Sequence, residues 1–300
     1  MELNFILGGY KMPINNYGFL RKDIKQYENN LVTKYKEVFD FYEEFNHYLH
    51  KMKYRIDVEK SDFQGGIMIG LFSKSLTTFQ AIYILFKHYL CNNAEELCRI
   101  LFEEMVNIGY CSLGKDEARR YLSLQVINKL KIINIVNQKN NKKYFPENYI
   151  EKYFEKKPYD KWESELVNYL HSLGVKEIFD KNGKPKAISV EEKIKKVNSK
   201  VIMNLYLTFY RIVSTGVHSS PEILKRYLIL DENDLIMEIR WGPKAENSEI
   251  TTQFTAIHFM IIILEYLSDY FKIPEKKDIE HFFEKMKQLG KKYNYFLEEI

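Results

Sequence analysis

The feature that most constrains the fold of this chain is the spacing of its apolar residues, which recur every three or four positions over long stretches. In the segment YENNLVTKYKEVFDFYEEFNHYLHKMK, beginning at Tyr27, these residues fall on one face of a helix. Prolines and glycines, which interrupt helices, number only 7 and 13 in 300 residues. The sequence therefore predicts an all-α protein, and we expect one helical domain spanning residues 1–300.

The predicted domain has a core, an insertion and a C-terminal helix. We expect the core to comprise residues 20–137 and 158–272. Residues 138–157 are rich in Lys, Asn and Tyr, which predicts an insertion at the surface. An amphipathic pattern predicts a C-terminal helix over residues 275–298, and two β-prone runs around the turn DEND, which begins at Asp231, predict a small β-hairpin.

Three local signals predict where helices begin or end. Ser189 and Glu192 have the spacing of a capping box, and so do Asn93 and Glu96. The segment SDFQGG, which begins at Ser61, contains two adjacent glycines and predicts a break between helices. After the capping box at Ser189 we expect a long apolar helix.

Charge and motif content exclude several classes of protein. The 45 basic and 41 acidic residues leave a net charge of +4, which permits an anionic partner without requiring one. The cysteines Cys91, Cys98 and Cys111 lack CxxC spacing and predict buried thiols in a reducing compartment. Because the sequence contains no HExxH motif, metal-ligand cluster or glycine-rich nucleotide loop, we expect no metal and no cofactor.

The most apolar window, Phe254–Leu267, predicts a buried core helix. It is shorter than a bilayer span, and Glu265 and Asp269 interrupt its continuation. Within it, His258 is expected either to be a satisfied core histidine or to join a polar cavity. We therefore predict a cytoplasmic protein without membrane association.

The stretch YRIVSTGVHSSP, Tyr210–Pro221, places polar residues at the end of a strongly apolar segment. A helix advances 100° per residue, so Arg211 and His218 share a face if the helix runs through both. That face also includes Asn204, Thr208, Ser214 and Thr215. The pattern is typical either of a catalytic pair or of a buried polar network that fixes helix packing.

Arginine and histidine have the chemistry that metal-independent RNA cleavage requires. Attack of a ribose 2′-hydroxyl on its own phosphate needs one proton removed and one given to the leaving oxygen, and histidine does both near neutral pH. Arginine stabilises the extra negative charge of the transition state. Under this hypothesis His218 transfers protons and Arg211 binds the phosphate.

The Arg-x6-His spacing in RIVSTGVH, late in a helix of an all-helical protein, resembles the motif of the HEPN superfamily. The resemblance implies a HEPN-like helical bundle, here with additional helices and the small β-hairpin as an insertion. It also implies a metal-independent endoribonuclease that acts as a toxin or anti-phage effector. Expected partners are RNA, a second copy in a homodimer, and an antitoxin or defence-system protein. Ile212 departs from the family pattern, which often has a polar residue after the arginine.

A second resemblance covers about residues 70–230. This region is similar to a bacterial family of unknown function that has one helix with R-x-x-x-E and a later helix with Y-x-x-x-S-x-x-x-H. In this chain those positions are Arg99 and Glu103, and Tyr210, Ser214 and His218. Arg99 and Glu103 can pair on one helix face. They are expected either to form a plain surface salt bridge or to lie on a helix that packs beside the Arg211 helix and faces the same polar cavity. In the second case Arg99, Glu103 and Ser214 position Arg211 and His218.

The alternative function is a non-catalytic interaction or sensor module of a bacterial defence system. In that case the polar face of the Arg211 helix is a ligand pocket or a structural network. The lysine-rich segments NQKNNKK and EKYFEKKPYDK are compatible with an RNA track or with an ordinary solvated surface. The sequence does not separate these two functions.

Overall fold

A computed structural model of the protein describes residues 24–137, 159–211, 213–214, 228–231, 236–239, 248–274, 276–293 and 295. Ten α-helices form most of this part of the chain, so the predicted all-α class is confirmed. In chain order they are α1 (Ile24–Lys34), α2 (Lys36–Met52), α3 (Phe63–Lys87), α4 (Cys91–Ser112), α5 (Lys115–Asn137), α6 (Tyr159–Ser172), α7 (Val190–Val197), α8 (Lys200–Leu205), α9 (Ser248–Phe271) and α10 (Lys276–Lys292). A 3₁₀ turn (Lys176–Ile178) follows α6, and a π-helical turn (Tyr206–Tyr210) follows α8.

Two short strands lie between α8 and α9. β1 (Leu228–Leu230) pairs antiparallel with β2 (Ile236–Ile239), with Leu228 opposite Ile239. Most of the predicted DEND turn falls in residues 232–235, which lie outside the described residues.

The contacts within the chain divide it into two compact units. Unit 1 comprises Met1–Val58, Ile69–Met105 and Ser199–Ile300, and unit 2 comprises Glu59–Met68 and Val106–Asn198. The single domain over residues 1–300 stays a prediction. The predicted insertion, 138–157, lies outside the described residues.

Aromatic rings form the centre of unit 1. The rings of Tyr42 (α2) and Phe79 (α3) stack with centroids 4.0 Å apart, and the ring of Phe45 meets Phe79 edge-on at 6.0 Å. Phe282 of α10 packs 5.0 Å from Phe45. The Tyr42 hydroxyl donates a hydrogen bond of 2.7 Å to the Phe79 carbonyl, so the ring is buried with its polar atom satisfied. These contacts tie three helices together.

Helix α9 is buried on almost all sides. It has 24 residues, so the prediction that its apolar segment is too short for a bilayer is wrong. Among the described helices, α3 and α9 are long and apolar enough to cross a membrane. Length and composition do not separate a membrane span from a core helix. In α9, however, 83% of the most apolar window is buried within this chain, whereas in α3 the buried share is 44%. The extensive burial of α9 is typical of a core helix.

Unit 2 has its own hydrophobic cluster, which joins α5, α6 and the 3₁₀ turn. Its buried members are Val126, Ile127, Leu130, Leu170, Val175 and Ile178. Helix α6 ends at Ser172, and Gly174 then adopts a φ of 71°, a conformation that suits glycine. The glycine stop therefore turns the chain back onto the cluster.

The predicted capping box at the start of α7 is confirmed. The Ser189 hydroxyl accepts a hydrogen bond from the Glu192 amide at 3.1 Å, and the Glu192 carboxylate accepts one from the Ser189 amide at 2.8 Å. Hydrogen bonds from Lys186 and from the Ser189 backbone lower the pKa of Glu192 to about 2. The carboxylate therefore caps α7 as an anion.

The change Ser189→Ala is expected to lower the free energy of unfolding by about 1 kcal/mol, because it removes the hydroxyl that accepts the Glu192 amide. Chemical denaturation followed by circular dichroism measures the change. Ser172→Ala is the control, since the Ser172 hydroxyl donates to the Tyr169 carbonyl of its own helix and caps no helix start. Equal stability of Ser189→Ala and wild type would contradict the predicted cap.

Two of the predicted helix boundaries are wrong. A break between helices does occur at residues 53–62, but α3 begins at Phe63, so both glycines of SDFQGG lie inside this helix. The Asp62 carboxylate accepts the Gly65 amide at 2.9 Å and caps the first turn. Helix α4 begins at Cys91, so Asn93 lies inside the first turn and is not its cap. Tyr89 has a φ of 62° and lies between the end of α3 at Lys87 and the start of α4 at Cys91. This backbone conformation lets α4 begin two residues before Asn93.

The C-terminal helix ends sooner than predicted. Helix α10 ends at Lys292, not at residue 298. The Gly290 carbonyl accepts hydrogen bonds from the amides of both Tyr293 (3.0 Å) and Tyr295 (2.9 Å), which turns the backbone out of the helix.

Candidate functional site

The helix that carries the Arg211 motif is short and changes its winding. Helix α8 begins after Ser199, whose hydroxyl accepts the Ile202 amide at 3.3 Å. At Tyr206–Tyr210 the chain makes a π-helical turn, in which the Arg211 amide bonds to the Tyr206 carbonyl five residues back. A π turn holds one extra residue, so the residues after it are rotated by about 100° relative to an uninterrupted α-helix.

This turn corrects the predicted polar face. The prediction assumed a constant 100° per residue from Asn204 onward, which does not hold across the π turn. Asn204, Thr208 and Arg211 are nevertheless all exposed. The Thr208 hydroxyl donates to the Asn204 carbonyl at 2.8 Å, and the Ser214 hydroxyl donates to the Tyr210 carbonyl at 2.6 Å. Both hydroxyls are thus hydrogen-bonded within their own helix.

The structure describes only part of the Arg-x6-His motif. Arg211 is exposed, Val213 is buried in unit 1, and Ser214 is half-buried. His218 and Thr215 lie outside the described residues. The pairing of Arg211 with His218 therefore stays a prediction.

Arg99 and Glu103 form an ion pair on α4, with 3.2 Å between the Arg99 Nη2 and the Glu103 Oε1. This pair contacts Tyr210, the residue before Arg211. The Tyr210 hydroxyl donates to the same Glu103 oxygen at 2.8 Å and accepts from Arg99 Nη2 at 3.4 Å. The Arg99 guanidinium also lies 5.2 Å from the centre of the Tyr210 ring, within reach of a cation–π interaction.

The π turn rests on aromatic side chains of α4 and α9. Tyr210 packs on Phe102 of α4 at 5.0 Å and stacks on Tyr206 at 5.4 Å. Phe209 meets Phe259 of α9 edge-on at 5.4 Å, and Phe259 also contacts Phe102. The turn is therefore anchored on one side while Arg211 stays exposed.

Burial determines the electrostatics of this cluster. It raises the pKa of the Tyr210 hydroxyl; the hydrogen bond from Arg99 opposes this effect, and Glu103 adds to it. The hydroxyl therefore remains a protonated donor at neutral pH. Arg99 is mostly buried, and its Nε has no hydrogen-bond partner among the described residues. The cost of burying that guanidinium is offset by Glu103 and by the Tyr210 ring.

The remaining candidates do not join this cluster in the described part of the chain. No group of three or more His, Cys, Asp or Glu that could hold a metal occurs among the described residues. His258 is 3% exposed and lies against Phe283 of α10, and burial lowers its pKa to about 4. It is a neutral core histidine, but it is not satisfied as predicted, since its Nδ1 has no hydrogen-bond partner among the described residues.

Tyr210 is the site residue to which the sequence hypothesis gave no role. The Y-x-x-x-S-x-x-x-H pattern contained it, but the pattern alone did not reveal its partners. Spacing predicts contacts within a helix, as for Arg99 and Glu103. The contact between Tyr210 and α4 depends on tertiary packing.

Residues 66–235, more than half of the chain, match a protein family described as a family of unknown function (DUF5677). The matched segment includes the Arg99–Glu103 pair and all of the Arg211 motif. No curated protein and no solved structure matches the chain. The chain belongs to the DUF5677 family, whose function is unknown.

Proposed function

We propose that this protein is a metal-independent endoribonuclease with a HEPN-like fold that acts as a toxin or anti-phage effector in the cytoplasm. The observation that supports this proposal is the exposure of Arg211 directly after a turn anchored by Arg99 and Glu103. An exposed guanidinium is accessible to an RNA phosphate. Anchoring the preceding turn reduces the freedom that the arginine backbone loses on binding.

In the proposed reaction His218 transfers protons and Arg211 stabilises negative charge. His218 removes the proton from a ribose 2′-hydroxyl, and the 2′-oxygen attacks the adjacent phosphorus. The bond from phosphorus to the 5′-oxygen breaks, and the protonated His218 donates its proton to that oxygen. Arg211 stabilises the negative charge on the phosphate oxygens. The products are a 2′,3′-cyclic phosphate and a 5′-hydroxyl.

The other three residues have supporting roles. Arg99 and Glu103 hold the turn before Arg211 through Tyr210, and Ser214 bonds to the carbonyl of Tyr210 in the same helix. In the proposed homodimer, two copies of the motif would face one RNA. An antitoxin or another defence protein would restrain the activity.

One observation favours the alternative, a non-catalytic interaction or sensor module. The hydroxyl of Tyr210 is fully engaged by Arg99 and Glu103 within a single chain. Such a network stabilises a packed helix pair without any substrate. Under this alternative the Arg211 variants alter binding to a partner, and there is no turnover to lose.

Arg211→Ala and His218→Ala are each expected to lower RNA cleavage by roughly 100-fold or more, because each removes a group that acts on the transition state. The assay follows cleavage of total RNA and tRNA by purified protein in EDTA. Circular dichroism confirms that each variant is folded.

Arg119→Ala is the matched control, since Arg119 is an exposed arginine that pairs with Asp116 in unit 2. It is expected to cleave at the wild-type rate. Loss of cleavage in Arg119→Ala as well would indicate general loss of charge and contradict a specific role for Arg211. Absence of cleavage by the wild type, alone or with its genomic neighbours, would favour the binding module.

A further inference from the structure

The π turn before Arg211 requires a physical cause. A single π turn is rarer than an α turn and is frequent at functional sites. Here it lies at Tyr206–Tyr210, and its wide hydrogen bond ends on the amide of Arg211. The winding of this turn therefore sets the direction of the Arg211 side chain.

Within the turn, Tyr210 makes polar contacts with another helix, α4. Its hydroxyl donates to Glu103 at 2.8 Å and accepts from Arg99 at 3.4 Å. Arg99 and Glu103 are themselves paired at 3.2 Å, so the hydroxyl lies in a closed three-membered network. Moving Tyr210 around the helix axis breaks two hydrogen bonds and leaves Glu103 with one partner fewer.

A return to α winding would move Tyr210 in that way. When the turn changes from π to α winding, it holds one residue fewer, and the residues that follow it rotate by about 100° around the helix axis. Arg211 would then point to a different side of its helix, although it is the next residue in the chain. A change in the position of the Tyr210 hydroxyl therefore also changes the direction of the Arg211 guanidinium.

We propose that Tyr210 is the positioning residue for Arg211: its hydroxyl, held by Glu103 and Arg99, keeps the π turn wound so that Arg211 faces the substrate phosphate. The proposal deepens the ribonuclease function, and its consequence for activity rests on that function. The ring supplies packing on Phe102 and Tyr206 and the cation–π contact with Arg99. The hydroxyl supplies the orientation.

The change Tyr210→Phe separates these two contributions, since it keeps the ring and removes the hydroxyl. We expect kcat for RNA cleavage to fall at least 10-fold while KM changes less than 2-fold, because a misdirected arginine loses its transition-state contact. Tyr83→Phe is the matched control. It removes another tyrosine hydroxyl that donates to a glutamate, Glu43, away from the motif, and it is expected to leave kcat unchanged.

Glutamate variants test whether the effect passes through the network. Glu103→Gln keeps an oxygen that accepts the Tyr210 hydroxyl, and is expected to retain more activity than Glu103→Ala. The double variant Tyr210→Phe/Glu103→Ala is expected to be no slower than the slower single variant, since both changes break one network. Multiplying effects in the double variant would overturn the proposal.

A measurement without RNA distinguishes failure of this inference from failure of the proposed function. Hydrogen exchange of the peptide covering residues 204–214 is expected to be at least fivefold faster in Tyr210→Phe than in wild type and Tyr83→Phe, because the turn loses its hydrogen bonds to α4 and opens more often. If the wild type cleaves no RNA but this exchange difference is found, the function fails and the positioning of Arg211 stands. Exchange identical to wild type would overturn the positioning role, whatever the cleavage result.

Discussion

Phe79→Ala is expected to lower the free energy of unfolding by about 3–5 kcal/mol, the range for deleting a fully buried phenylalanine. Phe79 is 0% exposed, its ring stacks on Tyr42 at 4.0 Å, and it meets Phe45 edge-on. Truncation removes both ring contacts and leaves a cavity among rigid aromatic neighbours, which cannot collapse to fill it. Urea denaturation followed by circular dichroism measures the loss.

Ile84→Ala on the same helix is the control for Phe79→Ala. Ile84 is 54% exposed, so its truncation removes little buried area and is expected to change stability by less than about 1 kcal/mol. A loss in Phe79→Ala no larger than that in Ile84→Ala would show that α2 and α3 do not pack as described.

The second large effect concerns pH and is expected to arise from His258. Burial lowers the pKa of this histidine to about 4, whereas the unfolded chain has a histidine pKa near 6.5. Between these values the unfolded state binds the proton and the folded state does not. The contribution of His258 is therefore fully present above pH 6.5 and is lost as the pH falls toward 4. The total loss is about 3 kcal/mol.

The pH effect is measured as a difference between variants, because other groups titrate in the same range. Burial raises the pKa of Glu104 and of Glu265, which stabilises the folded state as the pH falls and so opposes His258. His258→Gln keeps a polar side chain of similar reach but does not titrate. We expect stability to fall less steeply between pH 7 and pH 4 in His258→Gln than in wild type.

His281→Gln is the control for the pH experiment, since His281 is exposed on α10. It is expected to follow the wild-type pH dependence. If His258→Gln also follows the wild-type curve, His258 is not a buried neutral histidine, and the packing of α9 against α10 is not as described.

The periodicity of apolar residues predicted the class of the fold because a helix must bury one face. The capping box at Ser189 was predicted for a similar reason, since its two hydrogen bonds join residues three positions apart. The local sequence did not predict helix boundaries correctly where a residue adopts a backbone conformation that is unusual for its type. Tyr89 takes a positive φ without being glycine, so the true start of α4 gave no signal.

In the candidate site, as in the fold, contacts within one helix were predictable from the sequence, and contacts between helices were not. The spacing of Arg99 and Glu103 predicted their ion pair, which depends only on helix geometry. The π turn at Tyr206–Tyr210 has no sequence signature, so the sequence predicted the Arg211 face for a regular α-helix, whose winding differs from that of the structure. The link from Tyr210 to Glu103 joins residues far apart in the chain, and only the packing of α8 near α4 brings them together.

The central claim is that Arg211 and His218 cut RNA through its own 2′-hydroxyl without a metal, and the chemical ends of the products test this claim most directly. RNA treated with the purified protein in EDTA is examined by mass spectrometry. The claim predicts 2′,3′-cyclic phosphate and 5′-hydroxyl ends, and no cleavage of a substrate carrying 2′-deoxyribose at the cut site. Products with 5′-phosphate ends, or cutting of the 2′-deoxy substrate, would contradict it.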